Sequence, residues 1–188
     1  MKKEFILFDT EYTCWEGSMA RNWSGKGETI EIIQWGALKI NEYGEVIDKF
    51  DYFCKPLINH KLSNYCKKLT NIKQKNIDTA INIKELLIEF NKFDNNGKIK
   101  KWSWGNDINV IVETGKINNL IIENQDSYYD LSQIFKLEKI DCGGSSSGEL
   151  ASFFGVSMDG HVHDANFDTF SLFKSIEIHK NKILKHLF

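Results

Sequence analysis

"EFILFDTE", residues 4–11, opens on an apolar run and closes on two acids. A short run with no polar alternation marks a strand covered on both faces. Side chains alternate along a strand, so Phe5, Leu7, Asp9 and Glu11 share one face. Two carboxylates thus end a central strand on the same side. Their charges repel, and partial burial strengthens the repulsion. No lysine or arginine follows closely, and Arg21 is the only arginine in the chain. A divalent cation is the natural compensating charge, and hard oxygen ligands suit Mg²⁺ or Mn²⁺. The competing reading is an ordinary solvated strand end.

The rest of the chain reads outward from this strand. "EIIQWGALKI" (31–40) and "VIDKFDYFCKP" (46–56) predict a second and third strand joined by the turn "NEYGE", with Pro56 ending the third. "LSNYCKKL" (62–69) predicts a short helix capped by Ser or Asn. "IKELLIEFNKF" (83–93) predicts a longer one, with Leu86, Leu87, Phe90 and Phe93 at helical spacing. A fourth strand is expected over 98–105, a helix over 107–116, a short fifth strand over 127–131, a helix over 148–155, and helix from about 165 to 179 and beyond. The segments 24–28 and 141–149, rich in Gly and Ser, read as loops. Strands first, then strands alternating with helices, predict an α/β fold with a mixed central five-stranded sheet flanked by helices.

Composition narrows the function classes. A chain of 188 residues suits one domain, 1–188, and 41% hydrophobic content suffices for a real core. A net charge of −2 argues against tight non-specific duplex binding, which needs a basic face. Cys14, Cys54, Cys66 and Cys142 form no C-x-x-C pair, so a zinc ribbon is not expected. The thiols fit a reducing, cytoplasmic setting. The apolar run near the N-terminus is too short for a signal peptide, and no run approaches the roughly 18 residues of a membrane helix.

Two further stretches hold acids near helix starts. In "WSWGNDINVIVE" (102–113), Asp107 heads a stripe with Val110, Ile111 and Thr114. It either caps the helix or joins Asp9 and Glu11. In "GHVHDANFDT" (160–169), His161 or His163 can pair with Asp164 or Asp168, or the stretch is a capped turn. If a helix begins near Ala165, Asp168 lies in its first turn beside Ala165 and Leu172, and Asp164 is the better N-cap. His163 then sits in the loop just before the helix, able to face the same site.

Together "FDTEYT", "SWGND" and "HDANFD" resemble the three motifs of the DEDDh 3′–5′ exonucleases, which have the ribonuclease H-like fold. The order and spacing of "FDTEYTCW", "EIIQWGALKI", "KPLINHKLSNYCKKLTNI" and "SWGND" are similar to the ERI-1-like and KapD exoribonuclease branch. The likeness covers nearly the whole chain. It selects His163 and Asp168 over His161 and Asp164. Where the family often has L-T-G-I, this chain has "LTNI", and Asn71 tolerates the positive φ such a turn needs.

The resemblance implies two Mg²⁺ or Mn²⁺ ions held by Asp9, Glu11, Asp107 and Asp168, spaced ~3.5–4 Å apart as in two-metal nucleases. It implies His163 as general base and nucleoside 5′-monophosphates as products. Thr10 and Tyr12 are expected near the terminal sugar. Trp35 and Trp104 are expected in the core. The expected partner is single-stranded nucleic acid, RNA favoured over DNA, with no membrane. Three rivals stand beside this reading: a DNA-directed exonuclease, a catalytically quiet binding protein, and a zinc site on His161, His163 and Asp164.

Overall fold

The computed structural model describes residues 3–188. The strands are β1 (Glu4–Tyr12), β2 (Ile32–Asn41), β3 (Val46–Lys55), β4 (Ile81–Asn82), β5 (Lys100–Ser103) and β6 (Tyr128–Asp130). The helices are α1 (Asn64–Thr70), α2 (Gln74–Asp78), α3 (Ile83–Phe93), α4 (Asp107–Ile117), α5 (Leu131–Leu137), α6 (Leu150–Phe153), α7 (Ala165–Ile178) and α8 (Lys180–Ile183). They build one six-stranded sheet in the order β4-β3-β2-β1-β5-β6. Antiparallel pairing joins β2 to β1 and to β3, and the pairs β1–β5, β5–β6 and β3–β4 are parallel.

The sequence predicts five strands, and the sixth is β4. It is two residues long and pairs only with Cys54 and Lys55. So short a strand has no periodicity to read; it exists because Asn82, the N-cap of α3, lies beside β3. The short helices α2 and α5 likewise have no counterpart among the expected elements.

β1 is the central strand in the physical sense, since it feeds both cores. Ile6 and Phe8 pack with Trp35, Phe90 and Ile111 on the face covered by α3 and α4. Phe5 and Leu7 pack with Leu150, Leu172 and Ile176 on the face covered by α6 and α7. The unalternated apolar run follows from this double burial. The helices carry their own start signals. Asn82 accepts from Glu85 N–H at 3.0 Å and Glu85 returns a bond to Asn82 N–H, a reciprocal cap. Asn71 ends α1 at φ +58°, the left-handed turn for which Asn serves in place of Gly.

α7 lies almost on the backbone of β2. Gly36 pairs with Asp9 across the β1–β2 ladder. A Cβ at Gly36 would fall 2.6 Å from the carbonyl carbon and oxygen of Ala165 and 2.7 Å from the nitrogen of Asn166. These are backbone atoms and cannot step aside. Thr169 Oγ1 donates to the same helix turn at Ala165 O, 2.6 Å away. Gly36→Ala is therefore expected to destabilise the fold by about 1–3 kcal/mol, the usual range for overpacking. A lowered midpoint in urea unfolding checks it; an unchanged midpoint would show that α7 is free to lift from the sheet.

Candidate active site

The site forms at the C-terminal end of β1, where β5 runs parallel beside it, the crevice position typical of open α/β sheets. Asp9 and Glu11 point from β1 toward α7 and are both buried. A register shift in the β1–β2 ladder falls between Glu11 and Tyr12, at the lip of the site. Such bulges re-aim a strand next to functional clefts.

α7 delivers the third acid. Asp164 caps the helix, its Oδ1 accepting from the N–H groups of Asn166 (3.0 Å) and Phe167 (3.1 Å). That leaves Asp168, in the first turn, turned inward and buried. His163 precedes the cap at φ +70°, a left-handed conformation unusual for a residue with a side chain. Its N–H donates to Asp168 Oδ1 at 3.2 Å. A ring nitrogen of His163, a Glu11 oxygen and an Asp168 oxygen lie within 4.8 Å of one another.

Asp107 reaches the site from the opposite face of the sheet. It is the first residue of α4, and Asn106 holds the N-cap position without a side-chain bond. Thr10 points away from Asp9 and Glu11, and gives Asp107 Oδ1 both its N–H (3.2 Å) and its hydroxyl (2.6 Å). Two readings were open for Asp107, cap or site acid; its carboxylate is turned to β1.

The electrostatics follow from burying these acids together. The carboxyls of Asp9 and Glu11 lie well above the ordinary range, first because burial removes water and then because the other acids repel their charge. Asp107 is raised to about 6 by burial, against the hydrogen bonds of Thr10 and Ser103. Asp168 is raised to about 7 by burial, against donors from His163 and Ser147. His163 is lowered, chiefly by burial and then by His161. Among the described residues, no lysine or arginine ion-pairs with any of the four acids. A dense set of hard oxygen donors without a resident positive charge fits a divalent cation.

A cleft of about 620 Å³ opens over the acids. Asp9, Thr10, Glu11, Tyr12, Asp107, His163 and Asp168 all line it, so every predicted site residue lies at one place. Trp15, Trp23, Tyr65 and Leu69 form its apolar wall. Trp35 is in the core as expected, stacked on Phe90 at 4.1 Å. Trp104 differs from the expectation: it packs edge-on against Phe135 but also borders the cleft, held by its N–H to Ser145 O at 3.0 Å.

His161 is turned elsewhere, its Nε2 at 2.8 Å from Leu69 O. With Asp164 engaged as a cap, the ligands of the zinc alternative do not converge. Sequence reasoning missed Ser103, Ser147 and Gly148. The end of the supposed loop 141–149 is a short 3₁₀ turn, Ser147–Glu149, with Ser147 and Gly148 buried. Ser146 and Glu149 make a capping box there, and the S-x-x-E spacing was the available signal.

The chain is similar to known exonucleases. The RNase_T family model, described as exonuclease, matches residues 6–174. The probable 3′-5′ exonuclease KapD of Bacillus subtilis is 26% identical over 184 residues, 96% of this chain and 87% of that protein. The 3′-5′ exonuclease Snipper of Drosophila melanogaster is 32% identical over 89 residues, 47% of this chain and 30% of that protein. The ERI1 exoribonuclease 2 of Xenopus laevis is 34% identical over 89 residues, 47% of this chain and 12% of that protein. The last two matches thus span less than a third of the relatives' own length.

Among solved structures, the 3′-exonuclease described in 3′-end specific recognition of histone mRNA stem-loop has a TM-score of 0.80 at 19% identity, covering 97% of this chain and 84% of that one. The nuclease domain of 3′hExo, a DEDDh family member bound to rAMP, has a TM-score of 0.74 at 20% identity, covering 97% and 94%. These likenesses establish a shared ribonuclease H-like architecture. With the family model spanning nearly the whole sheet and all the acids, the chain belongs to the RNase_T exonuclease family.

Proposed function

We propose that this chain is a metal-dependent 3′–5′ exonuclease that acts on single-stranded 3′ ends, RNA in preference to DNA, and releases nucleoside 5′-monophosphates. The observation that carries the reading is the convergence of Asp9, Glu11, Asp107, Asp168 and His163 beneath one open cleft. Two divalent cations, Mg²⁺ or Mn²⁺, would be held by the four acids and would supply an acidified water and charge stabilisation at the leaving oxygen. Asp9, whose charge is opposed by each of the other three acids, would be shared between the two cations. Glu11 and Asp168 would complete the site of one cation. Asp107 would serve the other, its carboxylate oriented by the two Thr10 donors on Oδ1. Burial favours the neutral form of His163, which would take the proton of the attacking water. Thr10 and Tyr12, next to the acids on β1, border the terminal sugar.

Buried acids favour a strand end over a paired duplex, because the scissile phosphate must reach the floor of the cleft. The RNA preference rests on the likeness to exoribonucleases and to a 3′-exonuclease that recognises an mRNA stem-loop. The test is a gel assay with 5′-labelled single-stranded RNA and DNA of one sequence, in Mg²⁺, in Mn²⁺ and in EDTA. The expected result is a ladder shortening from the 3′ end, faster on RNA and absent in EDTA. Equal rates on DNA would make it a DNA-directed exonuclease. Binding of both strands without cleavage would make it a catalytically quiet binding protein.

A further inference from the structure

We infer that Ser147 and Gly148 are positioning residues for the acid cluster: the Ser147 hydroxyl tethers Asp168, and Gly148 is the residue that lets the turn carrying it lie against Asp168. The inference rests on the reading of these acids as cation ligands.

Ser147 Oγ donates to Asp168 Oδ2 at 3.2 Å, with both side chains buried. A serine hydroxyl has one proton to give and two lone pairs to accept with. That one proton goes to Asp168 Oδ2. The two oxygens of Asp168 then have one protein donor each, His163 N–H on Oδ1 and Ser147 on Oδ2. The carboxylate is fixed in its plane, with its remaining lone pairs available to the cleft.

The hydroxyl is held by more than its own bonds. Upstream, Ser146 gives its N–H and its hydroxyl to Glu149 Oε2, both at 2.9 Å. Downstream, Ala151 N–H donates to Ser171 Oγ of α7 at 3.0 Å, joining α6 to the helix that carries Asp168. Between these anchors sits Gly148. A Cβ there would fall 2.2 Å from Asp168 Oδ1, 2.8 Å from its Cγ and 2.9 Å from Val162 Cγ1. Asp168 cannot swing away without giving up the His163 bond. Any side chain at 148 thus displaces either the acid or the turn.

Partners that orient metal ligands typically matter by 10–100-fold in metal affinity. Mn²⁺ binding to the whole protein, without nucleic acid, is measured by titration calorimetry for wild type, Ser147→Ala, Ser147→Thr and Gly148→Ala, with thermal melts in EDTA as a folding control. Ser147→Ala is expected to weaken Mn²⁺ binding roughly tenfold while melting as wild type does. Ser147→Thr, which keeps the hydroxyl, is expected to restore most of the affinity, and Gly148→Ala to lose at least as much as Ser147→Ala. Unchanged Mn²⁺ affinity in Ser147→Ala overturns the tether, as does an equal loss in Ser147→Thr. Wild type that binds no Mn²⁺ overturns the cation-site reading itself and this inference with it. If Gly148→Ala does not fold, the two serine variants decide the matter alone.

Discussion

Asp9→Asn is expected to abolish cleavage while making the metal-free protein more stable. Asp9 is the acid placed among the other three, and its replacement removes the anion shared by both proposed cation positions. Metal stabilisation of the transition state amounts to several kcal/mol. At 1.36 kcal/mol per decade, a loss of that size lowers kcat by at least about 10³-fold.

The gain in stability comes from the same burial. The Asp9 carboxyl is raised well above its ordinary 3.8, by burial first and by Asp107, Asp168 and Glu11 after it. The folded state therefore holds a proton more tightly than the unfolded chain. For such a group stability falls as pH rises above the unfolded value, and the loss is complete only above the folded one. Asp107 at about 6 and Asp168 at about 7 extend this window toward neutrality. Asn resembles a protonated Asp, so the variant and wild type should melt together near pH 4, and the variant should melt higher by pH 8. Calorimetric melts in EDTA across that range check this. A gap that shrinks as pH rises would show that the acids are better solvated than their burial indicates.

His163→Ala should lower kcat by roughly 10²–10⁴-fold, the range for loss of a general base. His161→Ala should change it by only a few-fold, since its ring is bound to Leu69 O on an exposed surface. Equal losses from the two would undo the assignment of the base. The pH profile adds a second check. His163 must be neutral to accept a proton, and burial and the nearby His161 hold it below the ordinary 6.5. Activity of the wild type should therefore persist below pH 6.5 before it falls. Replacing His161 removes one of the two depressing influences, so the acid limb should move upward in His161→Ala. A limb above 6.5 in the wild type would mean that protonation of an acid such as Asp168, raised to about 7, sets the limb and not His163.

Much of the site was legible because local rules govern its parts. A strand period of two puts Asp9 and Glu11 on one face whatever surrounds them. A helix beginning at Ala165 needs a cap, Asp164 is the right chemistry for it, and Asp168 then falls in the first turn facing the apolar stripe. The motif order led to His163 over His161, and the structure turns His161 toward Leu69. These readings need no knowledge of which elements meet.

What depended on tertiary structure is each contact made across a long stretch of chain. The bond from Thr10 to Asp107 joins residues 97 apart, and that from Ser147 to Asp168 residues 21 apart. Neither spacing has a period that pattern reading can find. The two-residue β4 exists only where β3 offers it partners, and Trp104 borders the cleft because the turn at Ser145 accepts its N–H. Gly36 reads in the sequence as a weak point in a strand, and only the approach of α7 shows that the missing side chain is what admits the helix. The sequence by itself put Asp9 and Glu11 on one face and Asp168 in a first helical turn, by local periodicity and capping, and its resemblance to a family's motifs singled out Asp107 and His163. The tertiary structure decided how far apart they lie, what holds them and how tightly they keep their protons, since those follow from packing and burial.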